Sequence, residues 1–136
     1  MSATYATTAA RTSTSIGSLV GTGLAATVLA SVATPVVAAA GLAAGVSLDI
    51  AGAPIPVPGF ATLTAVFSLV GVVLAVVLSR TVRRPRTVFV RTTVVLAALS
   101  LVPDVIVDAA PATKALLMLT HLVAAAIVTE EQVWRP

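Results

Sequence analysis

The sequence predicts an all-α integral membrane protein, a four-helix bundle of antiparallel up-down topology, and three observations carry that prediction. Of 136 residues, 58% are hydrophobic and only 10% charged, against about 45–50% apolar and about 25% charged in an ordinary soluble domain. The apolar residues gather into four runs, three close to the roughly 20 residues a helix needs to cross a hydrocarbon layer about 30 Å thick and the first longer. Between the second and third runs lies Arg80-Thr81-Val82-Arg83-Arg84-Pro85-Arg86, which holds four of the 8 basic residues. Basic residues collect on the cytoplasmic side of spanning helices. A soluble globule of this size would expose much of its surface, and 8 basic with 5 acidic side chains are too few to cover it.

The net charge of +3 and pI near 10.7 do not argue for nucleic acid. The bases are concentrated in one short turn without interleaved aromatics. Cysteine is absent, which removes disulfides, thiolate catalysis and Cys-based metal sites together.

Residues 1–15 are mainly Ser, Thr and Ala without apolar periodicity and read as a disordered cytoplasmic tail. From Ile16 to Ala44 nothing is charged, which makes the first span. Its Thr34-Pro35 step predicts a kink, with a Thr hydroxyl available to the freed carbonyl. Gly17-x-x-x-Gly21 and Gly41-x-x-x-Gly45 set small residues one turn apart, as in close helix contacts, although a segment so rich in Ala and Gly yields such spacings by composition alone. Ala38-Ala39-Ala40 also offers small residues suited to signal peptidase. Against cleavage stand a single Arg11 as n-region and an uncharged run longer than the usual h-region of about 7–15 residues.

Val46 to Gly59 breaks the pattern with Asp49, Gly52 and prolines at 54, 56 and 58. This is a stiff external connector with a short strand at Val46 to Ile50. The second span, Phe60 to Leu78, is uncharged throughout and carries Ser68 near its middle. The third, Val88 to Val107, contains Arg91, Pro103 and Asp104. The 12 residues between Arg91 and Asp104 make only about 18 Å of helix. Arg91 is long enough to reach the headgroups, so the short Asp104 is the charge held at depth. Pro111 opens the fourth span, 112–128, and residues 129–136 form a cytoplasmic tail with Trp134 as interfacial anchor.

Orientation follows from the basic residues. With the turn of Arg80, Arg83, Arg84 and Arg86 inside, the inner face also takes Arg11, Arg91 and Arg135, and the outer face only Lys114. Both termini are then cytoplasmic in the plasma membrane, with the Asp49 loop and the turn after Asp104 outside.

Polar groups concentrate at depth in the hairpin from Ser100 to His121. A tight turn between Asp108 and Pro111 would put Asp104 and Lys114 at matching depth, about one helical turn below the outer surface, where they would pair as a clamp or form an exchangeable proton or cation site. His121 falls near the midplane, where an imidazole needs partners. Ser100, Ser68 and Thr34 are the hydroxyls at similar depth. A single His without Cys makes a poor haem or zinc site. The serines have no nucleophile-elbow context, and Gly-rich phosphate loops are missing. The sequence therefore assigns no catalytic, cofactor or metal residues, no cofactor, and no enzymatic activity.

The run from Phe60 to Gly71, the basic Arg83-Arg84-Pro85-Arg86, the Leu99-Ser-Leu-Val-Pro-Asp104 corner and Leu117-Met-Leu-Thr-His121-Leu-Val-Ala-Ala-Ala resemble the small four-helix membrane proteins of actinobacteria grouped as domain of unknown function 6069. The resemblance covers roughly Ile16 to Val128 and implies a fold and a location without transferring an activity. Glu130-Glu131 departs from it, where an apolar or Pro-containing ending is expected. The function expected is that of a structural or interaction component of the cell membrane. Its partners would be the lipid bilayer and a second copy or another membrane protein, with no nucleic acid. The alternative is a small-solute or proton pathway using His121 and the Asp104/Lys114 level.

Overall fold

The computed structural model describes residues 15–133, with side chains through Glu130. Four helices follow in order, α1 (Ile16–Ala43), α2 (Val57–Thr81), α3 (Pro85–Ile106) and α4 (Pro111–Val133), with a small hairpin of β1 (Asp49–Ile50) and β2 (Ala53–Pro54) between the first two. All four are long and apolar enough to cross a membrane. The tail expected over residues 1–15 lies, apart from Ser15, outside the described residues, as do Trp134 and Arg135.

The helix ends show how proline and glycine set the boundaries. Ser15 caps α1 by accepting the Ser18 N–H at 3.1 Å. At the other end Gly45 takes φ +84°, its N–H reaching Leu42 O and the Val46 N–H reaching Gly41 O. That pair of bonds is a Schellman motif, and it satisfies two carbonyls that α1 would otherwise leave open. Pro56 is the N-cap of α2 and Pro58 lies in its first turn, so the helix starts three residues before Phe60. Proline costs nothing there because the first-turn N–H groups have no intrahelical partner. α3 and α4 likewise open on Pro85 and Pro111. α4 runs on to Val133 rather than ending at Val128, because Glu130, Glu131 and Gln132 are good helix formers and the next breaker is Pro136.

Pro35 sits inside an unbroken α1. The Thr34 hydroxyl does not serve the carbonyl that Pro35 frees, which is that of Ser31. It bonds instead to Ala30 O and, across to α2, to the Thr64 hydroxyl at 2.9 Å.

Packing runs around a ring. α1 lies against α2 and α4, and α3 completes the circuit by touching both α4 and α2. The buried positions of α1 are Gly23, Ala26, Thr27, Ala30, Thr34 and Ala38, small residues recurring at three- and four-residue spacing on one face. Large side chains point the other way: Val28, Val32 and Val36 are each at least 60% exposed, and on α2 Phe67 is 70% exposed. Small inside and large outside inverts the rule for a protein in water.

An apolar cluster lies at one end, where Ala38, Leu48, Phe60, Leu116 and Leu117 bury one another beneath the hairpin. Gly41 brings α1 and α4 together there, since a Cβ on it would fall 2.5 Å from Leu116 Cδ2. Of the glycine pairs singled out by spacing, this is the one position that closes a helix contact. A Cβ at Gly21 would meet nothing within 4 Å, and Gly45 serves the cap.

The hairpin pairs Asp49 with Pro54 and Ile50 with Ala53 around Ala51-Gly52, both at positive φ. That is the two-residue turn whose twist matches antiparallel strands. The hairpin is docked on the α3–α4 connection, with the Ala51 N–H donating to Asp108 O at 2.8 Å and the Thr113 hydroxyl to Ser47 O at 2.7 Å. Both loops therefore share one end of the bundle.

Candidate functional site

The polar hairpin of α3 and α4 is built by a short connection and a stagger. α3 ends at Ile106 with Val107 extended (ψ 147°), and residues 107–110 carry the chain to Pro111. The connection bends through residues 107–109, and it joins a helix that ends two residues beyond Asp104 to one that starts ten residues before His121. On α4, Lys114 and His121 are seven residues apart on one face, about 10 Å along the axis.

That geometry decides the partners. The Asp104 Oδ2 and His121 Nδ1 atoms are 2.7 Å apart. Lys114 reaches the same helix end from above, its Nζ donating to Val105 O at 2.8 Å. The pairing of Asp104 with Lys114 expected from a tight turn is thus replaced: the carboxylate goes to His121, and the ammonium goes to the backbone. Both assignments have a physical cause. The last four carbonyls of α3 lack intrahelical donors, and a cation near the negative end of a helix dipole is favoured there. Asp104, its side chain 10% exposed, needs a donor that comes to it inside the bundle.

His121 is correspondingly not held by the hydroxyls expected at its depth. Ser100 bonds to Ala97 O of its own helix at 2.7 Å, Thr34 is engaged with Thr64, and Ser68 is buried on α2. The His121 side chain remains 41% exposed at the bundle surface. Nδ1 and Oδ2 are within hydrogen-bond distance, and the imidazole turns its remaining edge away from the carboxylate.

The Arg80, Arg83, Arg84 and Arg86 turn is at the opposite end of α3. Arg80 lies in the last turn of α2, Val82–Arg84 is the whole connection, and all four side chains are exposed.

Sequence reasoning missed three contacts: Thr34 with Thr64, Thr113 with Ser47, and Ala51 with Asp108. The Ala51-Gly52 turn carried a weak signal for the last, a glycine in the second place of a two-residue hairpin loop. The threonines carried none, because a hydroxyl in a span can always bond to its own helix.

A family model described as a family of unknown function (DUF6069) matches residues 14–130. No curated protein and no solved structure matches the chain.

Proposed function

We propose, for a chain that belongs to the family of unknown function DUF6069, that it is a multi-pass protein of the cell membrane acting as a structural or interaction component rather than as an enzyme. The observation that carries the reading is the inverted packing. Between helices in lipid there is little hydrophobic drive, so association depends on close approach of small residues and on interhelical hydrogen bonds. Ala26, Ala30, Ala38 and Gly41 supply the first, and Thr34–Thr64 and Asp104–His121 the second. The large exposed Val, Leu and Phe side chains meet acyl chains rather than water.

The helices alternate in direction, up and down, with both termini cytoplasmic. Two loops sharing one end and the arginine turn joining the other pair of helices support this arrangement, and the seven-to-one distribution of basic residues gives its direction. In intact cells a cysteine introduced as Ala53→Cys should react with an impermeant thiol reagent, and Thr81→Cys should not. Labelling of the second alone would reverse the orientation. Release of the chain from membranes by alkaline carbonate would end the membrane reading.

One observation favours a second reading. A carboxylate and an imidazole within hydrogen-bond distance, with the imidazole half-exposed, form a station that a proton pathway could use. Proton flux into liposomes holding the purified protein, abolished by Asp104→Asn, would establish it over the structural role.

A further inference from the structure

We propose that the α2–α3 turn and the two helix faces leading to it form a binding surface for anionic phospholipid. The inference deepens the membrane reading and rests on it. Two patterns on the page have the shape of an amphiphile. On α2, Val66, Val70, Val73 and Val77 are exposed at alternating spacings of four and three, and the same stripe ends in exposed Arg80. On α3, the stripe of Val102, Leu99 and Val95 runs down to exposed Arg91, and exposed Arg84 is the N-cap at the end of the same helix. Each face is thus apolar along the span and cationic at its end.

Among the described residues, Arg80, Arg83, Arg84 and Arg91 have no carboxylate partner. Between Asp49 and Asp104 the sequence contains no Asp or Glu. A guanidinium binds phosphate oxygens in a two-pronged geometry that an ammonium cannot copy. The acyl chains of a phospholipid would lie along the valine stripes while its phosphate met the arginines at their ends. A zwitterionic lipid offers the same phosphate but cancels its charge with an ammonium. The surface therefore selects anionic headgroups.

The test uses the full chain purified in mild detergent, with melting temperature read as lipid is added. Phosphatidylglycerol should stabilise it in preference to phosphatidylcholine, and the preference should weaken as salt is raised. Each arginine near an anionic surface contributes roughly fivefold in affinity, so the triple variant Arg80→Gln, Arg83→Gln, Arg84→Gln should lose roughly a hundredfold of the preference. The triple lysine variant keeps the charge without the two-pronged geometry and should fall between the native chain and the glutamine variant, which separates lost charge from a damaged fold. Unchanged helical content by circular dichroism accompanies both. Equal stabilisation by the two lipids, or a preference surviving in the glutamine variant, would overturn the proposal. So would inorganic phosphate reproducing the shift by itself, since the surface would then recognise a free anion. A chain that stays soluble when detergent is withdrawn would defeat the membrane reading itself, a result distinct from all of these.

Discussion

Replacing His121 by leucine isolates the contact on which the α3–α4 hairpin turns. The substitution leaves the Asp104 carboxylate, its side chain 10% exposed, without the donor 2.7 Å away. Stranding a fully buried charge costs about 3–5 kcal/mol. The contact lies at the bundle surface, its imidazole side 41% exposed, so the carboxylate has room to turn toward another donor and the expected loss is about 2 kcal/mol. Asp104→Asn keeps a side chain that can still hydrogen-bond to Nδ1 and should cost about 1 kcal/mol. In the double variant a neutral amide faces leucine, with no charge left stranded, and the loss should stay near that of a single change. The coupling is then about 1–2 kcal/mol, the range of residues in direct contact. Lys114 supplies the internal control. Its ammonium bonds to Val105 O, not to the carboxylate, so Lys114→Met combined with Asp104→Asn should couple by no more than about 0.5 kcal/mol. Equilibrium unfolding of the purified protein in mixed detergent micelles gives all four corners of each cycle. Additivity of Asp104 and His121, or a stronger coupling of Asp104 to Lys114, would refute the assignment of partners.

Other contacts make equally specific demands. Gly41→Ala sets a methyl 2.5 Å from Leu116 Cδ2 and should cost about 1–3 kcal/mol, with Leu116→Ala recovering part of the loss in the same melting assay. Ala51 stands at φ +52°, so Ala51→Gly should gain about 0.5–1 kcal/mol after the added freedom of the unfolded chain is counted, whereas Ala51→Val should lower the melting temperature. Thr34→Val removes the hydroxyl that meets Thr64 and should cost about 1 kcal/mol, while Thr22→Val, whose hydroxyl bonds to Ser18 O within α1, should be close to neutral.

The four apolar helices were legible in the sequence because span length and the absence of charge are local properties. Their ends were less so: leaving the prolines outside the helices starts α2 at Phe60 and α3 at Val88, whereas Pro58 and Pro85 sit comfortably inside the first turns. In the candidate site the residues were legible and their partners were not. Asp104, Lys114 and His121 stood out as ionisable groups in apolar surroundings. Which of them meet depends on the length and conformation of residues 107–110. A tight turn aligns Asp104 with Lys114. The extended backbone at Val107 lets α3 stop lower, which carries the carboxylate down toward His121 and leaves Lys114 beside the open carbonyls of the helix end. Gly41 shows a similar limit. Its spacing to Gly45 suggested a helix-packing pair, but only the neighbour on α4 distinguishes a packing glycine from a capping one.

The polar contacts divide the work of holding the bundle in register. Apolar faces slide past one another in lipid at little cost, because one methyl group replaces another. A hydrogen bond between helices does not slide, since a shift of one residue moves its partner by about 1.5 Å along the axis and rotates it out of reach. Thr34–Thr64 fixes α1 against α2, Asp104–His121 fixes α3 against α4, and Thr113–Ser47 with Ala51–Asp108 locks the two hairpins together at their shared end. α2 and α3 need no such pin at the far end, where a connection of three residues already limits their relative shift. The arginines of that connection are exposed, while the Asp104–His121 pair is spent on register. Loss of Asp104–His121 should accordingly loosen α3 against α4, leaving the Lys114 ammonium on Val105 O as the remaining polar contact between the two helices.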